Sequence, residues 1–152
     1  MLMLSLMAML RVHSDVLISR CVNDRKTLTA TYNSQVIDLA DCVVIDVQCD
    51  FLKQELGNMK SGECDMAALE ATLKTVGQHI RPECLVLIET TVAPGTTEFV
   101  AWPILKKAFA NRGITSVPLL AHSYERVMPG REYVASIRDF WRVCAGCDAA
   151  AR

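Results

Sequence analysis

The sequence has no apolar run long enough to cross a bilayer, which takes about 20 consecutive apolar residues. The longest candidate, residues 1–10, ends at Arg11. A secretory signal carries its basic residue before the apolar stretch and small residues at its end, whereas here the basic residue follows and residues 19–21 make a poor cleavage site. We therefore predict a cytoplasmic protein without a membrane-spanning segment.

The sequence also has little excess charge and few chain-breaking residues. Its 16 Lys and Arg balance 17 Asp and Glu, and no basic run offers the positive surface that a phosphate backbone requires, so we predict no nucleic-acid partner. With seven Gly, five Pro and 51% hydrophobic residues among 152, the chain is neither disordered nor repetitive and has the size of one domain. Seven Cys at irregular spacing fit reduced thiols better than a disulfide framework.

From residue 27 onward, short apolar runs alternate with longer amphipathic stretches, which is typical of βαβ units around a parallel sheet. Predicted strands cover residues 27–32, 42–47, 85–88 and 117–122, with a further short strand at 140–144, and the polar residues 48–63 are predicted to form a loop. Predicted helices run from Asn33 or Ser34 to about Ala40, from Asp65 to Pro82, and from Thr96 or Thr97 to Gly113, the last kinked or restarted at Trp102 because Pro103 lies within it.

Three polar segments follow predicted strands: residues 48–50, 90–97 and 123–130. In an open parallel sheet, ligands bind in the crevice beyond the carboxyl ends of the strands. Because they follow the carboxyl ends of the predicted strands, these segments form the candidate ligand-binding site.

Two of these segments carry family motifs. Residues 89–97, ETTVAPGTT, resemble the E-S-T-V-x-P-G-T-T segment of the UDP-glucose/GDP-mannose dehydrogenase family, and residues 124–130, YERVMPG, resemble its P-E-R-V-x-P-G segment. Within that family the chain resembles the UDP-N-acetylmannosamine and related UDP-N-acetylhexosamine dehydrogenases, because Arg126-Val127 stands where members nearer to UDP-glucose dehydrogenase usually have Phe-Leu.

The resemblance implies a partial Rossmann-like α/β domain, without the first βαβ unit, from an NAD-dependent enzyme. Such enzymes oxidise the C6 hydroxyl of a UDP-sugar to a uronic acid for polysaccharide biosynthesis, and the full-length proteins are typically homo-oligomers. Hydride transfer requires the reacting carbon to be held against the nicotinamide while a base takes the hydroxyl proton. The implied cofactor is NAD, and the implied partner is a UDP-sugar.

The resemblance also assigns roles to individual residues. Thr91 and Glu125 match family residues near the reacting atoms, where they orient a water molecule and transfer a proton. The implied cofactor contacts are Gln48, Cys49, Thr90 and Thr91, and the implied substrate contacts are Glu125, Arg126, Val127 and Met128.

Several features depart from the family pattern. Tyr124 stands where most members have Pro, and the seven glycines form no G-x-G-x-x-G turn to hold a pyrophosphate. The family's nucleophilic Cys lies in a later half that this chain does not contain. We therefore expect an apolar segment of uncertain structure at 1–26, a partial NAD-binding domain at 27–148 and a C-terminal end at 149–152, inactive or nearly so by itself.

The cysteines at the C-terminal end leave a second interpretation open. Cys144 and Cys147 form a lone C-x-x-C, which is half of a zinc site or a redox pair in some proteins. No second pair stands at ligand spacing, so we predict two incidental thiols and no metal. The alternative to the dehydrogenase is a non-enzymatic binding module that uses these thiols, or a truncated gene product.

Overall fold

The computed structural model describes residues 19–52, 62–124 and 133–152. Within these ranges, a 3-10 helix at Ser34–Leu39 precedes the first strand, and a π-helical turn at Thr97–Ala101 leads into the second α-helix. The strands are β1 (Cys42–Ile45), β2 (Phe51–Leu52), β3 (Glu63–Cys64), β4 (Leu85–Ile88), β5 (Leu119–His122) and β6 (Ala145–Gly146), and the α-helices are α1 (Ala67–His79), α2 (Trp102–Asn111) and α3 (Tyr133–Asp139).

The main sheet has the strand order β1-β4-β5-β6. Strands β1, β4 and β5 run parallel, with Ile45 opposite Ile88 and Ile88 opposite His122. Strand β6 returns antiparallel to β5. Strands β2 and β3 form a separate antiparallel pair. The predicted α/β fold with a mostly parallel Rossmann-like sheet and flanking helices is confirmed.

The core lies between α1, α2 and one face of the main sheet. Paired strand residues share a face, and every second residue belongs to the buried row. That row packs against apolar side chains that recur at helical spacing on α1 and α2. The fully buried residues are Ile45, Val86, Ile88 and Leu120 on the strands and Leu69, Leu73, Val76, Leu105 and Phe109 on the helices. The opposite row is less buried, and Val44 within it remains 45% exposed.

The two long helices approach each other closely at one glycine. A Cβ on Gly77 of α1 would stand 2.6 Å from the Cβ of Ala108 on α2, so only glycine allows this spacing. Arg112 then joins the ends of the two helices, because its Nη1 donates to the carbonyl oxygens of Gly77 at 3.0 Å and Ile80 at 2.7 Å. These carbonyls belong to the last turn of α1, where carbonyls lack partners within the helix.

Most predicted elements agree with the structure, and their ends follow from local chemistry. The side chain of Asn33 accepts a hydrogen bond from Gln35 N and caps the 3-10 helix. Asp65 Oδ1 accepts from Ala67 N at 3.0 Å at the start of α1. The predicted change of helix at Trp102 is confirmed, because the π-helical turn becomes α-helical there. Gly113, with φ of 72°, follows the helix as predicted.

Three predicted segments were wrong. Residues 27–32 form no strand, because no strand among the described residues pairs with them. The predicted strand at 140–144 lies instead at Ala145–Gly146, where it pairs with β5. The predicted polar loop at 48–63 contains β2 at one end and leads into β3 at the other. Helix α3 was not predicted.

Candidate functional site

The carboxyl ends of β1, β4 and β5 lie at one edge of the sheet. The parallel ladder continues by one residue beyond each strand, because Glu89 N donates to Ile45 O at 2.9 Å and Ser123 N donates to Ile88 O at 3.0 Å. Three chain segments therefore leave the sheet side by side at this edge. They are the segments that the sequence predicted as the site.

Thr90 joins the first two of these segments. Its hydroxyl accepts a hydrogen bond from Val47 N and donates one to Val47 O, each at 2.8 Å. The Thr90 side chain is buried, and both backbone groups of Val47 are satisfied by one hydroxyl. Thr90 was predicted as a cofactor contact, whereas the structure places its hydroxyl in the framework that holds the edge together.

Thr91 differs from its neighbour in exposure. It is exposed at the same edge, and its hydroxyl makes no hydrogen bond to any described residue. A hydroxyl in this position is available to a ligand. Thr91 therefore has the accessibility that its predicted role requires.

The end of β5 contributes polar atoms that lack partners. Ser123 is 1% exposed, and its Oγ has no hydrogen-bond partner in the described part of the chain. The Nδ1 of the adjacent His122 is buried without a partner as well. Buried polar atoms nearly always find a partner in proteins. The Ser123 and His122 atoms are two exceptions to this rule, both at the carboxyl end of β5.

The segment after β1 holds two further predicted contacts. Gln48 is exposed, and its Nε2 donates to both carboxylate oxygens of Asp50 at 2.8 and 2.7 Å. Cys49 is half-buried and packs against the core. Burial raises the pKa of the Cys49 thiol, and negative charge at Cys64, Asp65 and Asp50 raises it further. A smaller fraction of Cys49 is therefore in the reactive thiolate form near neutral pH than in a free cysteine.

An ion pair at this edge was missed by the sequence analysis. Arg142 Nη2 donates to Glu89 Oε1, and both side chains are more than half buried. The pair ties the segment before β6 to the end of β4. The two residues are 53 positions apart, so no local pattern could reveal the contact, although Glu89 opens the motif at 89–97.

The second motif lies largely outside the described residues. Glu125, Arg126, Val127 and Met128 belong to the stretch 125–132, and residues 1–18 and 53–61 are also outside the described ranges. Only Tyr124 of this motif is described, and it is 44% exposed directly after Ser123. The predicted proximity of Thr91 and Glu125 stays a prediction.

Other features lie away from this edge. A cleft of about 460 Å³ between α1 and α2 is lined by Lys74, Gln78, Ile104, Lys107, Ala108, Asn111 and Arg112. Among the described residues, no three His, Cys, Asp or Glu side chains are grouped to hold a metal, so the metal-binding alternative at Cys144 and Cys147 gains no support. No helix in the described ranges has the length and apolar character to cross a membrane.

Comparison with known proteins agrees with the motifs. The NAD binding domain of the UDP-glucose/GDP-mannose dehydrogenase family matches residues 11–148. A UDP-N-acetyl-D-mannosamine dehydrogenase of Pyrococcus horikoshii is 39% identical over 67 residues, which cover 44% of this chain and 16% of that protein.

Solved structures give the same result. The crystal structure of an NDP-N-acetyl-D-galactosaminuronic acid dehydrogenase from Methanosarcina mazei Go1 matches with a TM-score of 0.64 and 33% identity, covering 78% of this chain and 24% of that one. A UDP-D-ManNAc dehydrogenase structure from Pyrococcus horikoshii matches with a TM-score of 0.68 and 25% identity, covering 87% and 29%. The predicted resemblance and its N-acetylhexosamine branch are confirmed. The chain spans less than a third of the length of each of these proteins.

Proposed function

We propose, from the premise that this chain belongs to the UDP-glucose/GDP-mannose dehydrogenase family, that its strand-end edge holds the nicotinamide end of NAD beside a UDP-sugar. The reaction is the oxidation of the sugar C6 hydroxyl to a uronic acid. The observation that carries the proposal is the pairing of a buried Thr90, which fixes the edge, with an exposed Thr91, whose hydroxyl is left for a ligand.

The residues at the edge fit one end of the cofactor. A nicotinamide carboxamide needs hydrogen-bonding groups at a rigid surface, and the edge offers the free Thr91 hydroxyl and the buried, unpartnered Ser123 Oγ. The pyrophosphate needs a glycine-rich turn at a helix N-terminus, and the sequence has no G-x-G-x-x-G. We therefore expect this chain to bind the nicotinamide end weakly and to leave the pyrophosphate without its usual cradle.

The chemistry is divided among a few groups. NAD supplies the hydride acceptor. We assign Thr91 to holding a water molecule near the reacting carbon and Glu125 to moving the proton between the sugar hydroxyl and that water. Arg126, Val127 and Met128 contact the sugar and its diphosphate. The resemblance of the two motifs supports these assignments.

Weak binding of NAD is best measured by saturation-transfer difference NMR on the intact chain. We expect stronger transfer to the nicotinamide protons than to the adenine protons, because the contacts lie at the nicotinamide end. Thr91→Val keeps the side-chain shape and removes the hydroxyl, so it should reduce the nicotinamide signals. Thr75→Val is the matched control, since the Thr75 hydroxyl bonds within α1 to Ala71 O at 3.1 Å. Equal losses in the two variants would contradict the proposal.

The reaction itself is tested in a chimera. The chain alone with NAD and a panel of UDP-sugars should produce little or no NADH, and robust reduction would contradict the expected inactivity. Residues 27–148 would then replace the matching segment of the full-length Pyrococcus horikoshii relative. In that chimera, Glu125→Gln should lower kcat by about 10²–10⁴, the usual contribution of general acid–base catalysis. The control Glu83→Gln, at an exposed turn, should leave kcat unchanged.

The setting of the reaction follows from the same family. We propose a cytoplasmic activity in polysaccharide biosynthesis, carried out by a homo-oligomer. The irregular, unpaired cysteines are compatible with a reducing compartment, because all seven are free thiols in the structure. Size-exclusion chromatography with light scattering on the chimera tests the oligomeric state.

A further inference from the structure

Two thiols share one face of the β2–β3 hairpin. Phe51 pairs with Cys64, and the hydrogen bond from Asp65 N to Asp50 O, at 2.7 Å, extends the same antiparallel register by one residue toward Cys49. Residues two apart on a strand point to the same face. Cys49 therefore lies on the face of Phe51 and Cys64, diagonally across from Cys64.

The neighbouring diagonal shows that side chains on this face meet. Phe51 and Gly62 stand in the same diagonal relation as Cys49 and Cys64, one step along the hairpin. A Cβ on Gly62 would collide with the Phe51 ring. The twist of the hairpin therefore directs the side chains of the first segment toward their diagonal partners on the second, and the same twist directs Cys49 toward Cys64.

The remaining gap is small. Diagonal neighbours in an antiparallel pair have Cα atoms about 7–8 Å apart, and a disulfide usually joins Cα atoms about 4.4–6.8 Å apart. The segments must therefore approach by about 1 Å. Strands β2 and β3 are two residues each, so few ladder hydrogen bonds oppose that movement.

The two thiols are close enough for their charges to interact. Asp50 and Asp65 flank the pair, and burial together with negative charge at Cys64, Asp65 and Asp50 raises the pKa of Cys49. Both thiols are half-buried and not sealed, so a small reagent can reach them.

We propose that Cys49 and Cys64 form a reversible oxidation site, which a low-molecular-weight disulfide such as oxidised glutathione converts to an intramolecular disulfide. One cysteine thiolate attacks a glutathione sulfur, the glutathione S–S bond breaks, and the first glutathione leaves as a thiolate that takes a proton. The second cysteine thiolate then attacks the protein sulfur of the mixed disulfide and releases the second glutathione. The two cysteine sulfurs lose two electrons, and one oxidised glutathione becomes two reduced molecules.

The bridge would act on the edge described above. Cys49 is two residues from Val47, whose backbone is held by Thr90. A covalent link from Cys49 to the hairpin fixes the segment after β1 from its other side. This inference goes beyond the proposed function and does not depend on it, because the bridge is detected by mass and not by activity.

The test uses the reduced, full chain at low concentration with oxidised glutathione. Free thiols are then alkylated, and the chain is digested with trypsin without reduction. We expect a monomer that has lost two hydrogens, and a cross-link between the peptide that contains Cys49 and the peptide that contains Cys64, reversed by dithiothreitol. Recovery of glutathione adducts alone in the wild-type chain would overturn the proposal, with no variant required.

Matched variants identify the sulfurs. Cys42 lies on the same tryptic peptide as Cys49 and is exposed, so Cys42→Ser should keep the cross-link. Cys49→Ser and Cys64→Ser should each lose it and carry a glutathione adduct on the remaining thiol. Circular dichroism establishes that each variant folds. A cross-link that persists in folded Cys49→Ser or disappears in Cys42→Ser would show that the assigned pair is wrong.

Discussion

The helix-covered face of the sheet and the edge at the strand ends are held together in different ways. On the face, many fully buried apolar side chains from α1, α2 and three strands share one core. At the edge, order depends on a few polar contacts, chiefly the Thr90 hydroxyl on Val47 and the Glu89–Arg142 ion pair. The core is closely packed, whereas at the edge the Thr91 hydroxyl is exposed and the buried Ser123 Oγ has no partner among the described residues. The face therefore contributes most of the stability, and the edge is where we propose that the ligand binds.

The largest expected effect is on the packed face. Phe109 is 1% exposed in the core, and Phe99 is 73% exposed on the π-helical turn. Phe109→Ala should lower the free energy of unfolding by about 3–5 kcal/mol, because it removes buried apolar area and leaves a cavity. Phe99→Ala should change it by less than about 0.5 kcal/mol. Urea denaturation measures the free energy of unfolding of both variants. Similar losses would show that the packed face contributes no more to stability than the exposed surface.

The next effect separates two adjacent residues of the edge. Thr90→Val should lower the free energy of unfolding by about 1–3 kcal/mol, because the partly buried N–H and carbonyl groups of Val47 both lose the hydroxyl to which they bond. Thr91→Val should leave stability within about 0.5 kcal/mol, since its hydroxyl is exposed and makes no hydrogen bond to a described residue. The same denaturation experiment decides between them. A destabilised Thr91→Val would mean that Thr91 is structural and not free for a ligand.

A smaller effect is expected at the opposite end of the sheet, where α1 ends. Arg112→Met keeps the apolar stem but removes the donor to Gly77 O and Ile80 O. We expect the free energy of unfolding to fall by about 1–2 kcal/mol. This value is at the low end for hydrogen bonds from charged groups, because the Arg112 side chain is partly solvated. Arg81→Met is the control, because its ion pair with Asp41 and its hydrogen bond to Ala40 O are both exposed and together should contribute less than about 1 kcal/mol. Equal losses would show that the helix-end contact adds nothing.

The sequence predicted the packed face far better than the edge. Strands β1, β4 and β5 were predicted because a continuous apolar run is typical of a buried parallel strand in an α/β chain. Helix α1 was predicted because its apolar residues recur at spacings of three and four. These patterns are local, and burial follows from them directly.

Non-local contacts explain the failures. Residues 27–32 have strand-like composition, but a strand forms only where another backbone accepts it. The position of β6 depends on Cys147 N bonding to Leu120 O at 2.8 Å and on the close approach of Gly146 to Ala151. At the edge, family motifs identified the segments, but the difference in burial and hydrogen bonding between Thr90 and Thr91 required the geometry. Composition cannot tell a hydroxyl that holds a loop from one that meets a ligand.

The smallest expected effect is a loss of stability at alkaline pH. Burial is the main reason that the pKa of the Cys84 thiol is raised, with negative charge at Cys42 adding to it. The folded protein therefore holds this proton more tightly than the unfolded chain. Below the ordinary thiol pKa of about 8.5, both states are protonated and the stabilising contribution is fully present. As the pH rises toward the raised folded value, the unfolded chain ionises first and stability is lost.

Urea midpoints measured under reducing conditions, from neutral pH to about pH 10, follow this loss. Cys84→Ala should reduce the slope only in part, because burial also raises the pKa of Cys49 and Cys147. Cys144→Ala is the control, since that thiol is exposed. A slope unchanged by Cys84→Ala but reduced by Cys144→Ala would place the pH sensitivity outside the core. The packed face would then be insensitive to alkaline pH, and thiol ionisation on the surface would account for the loss.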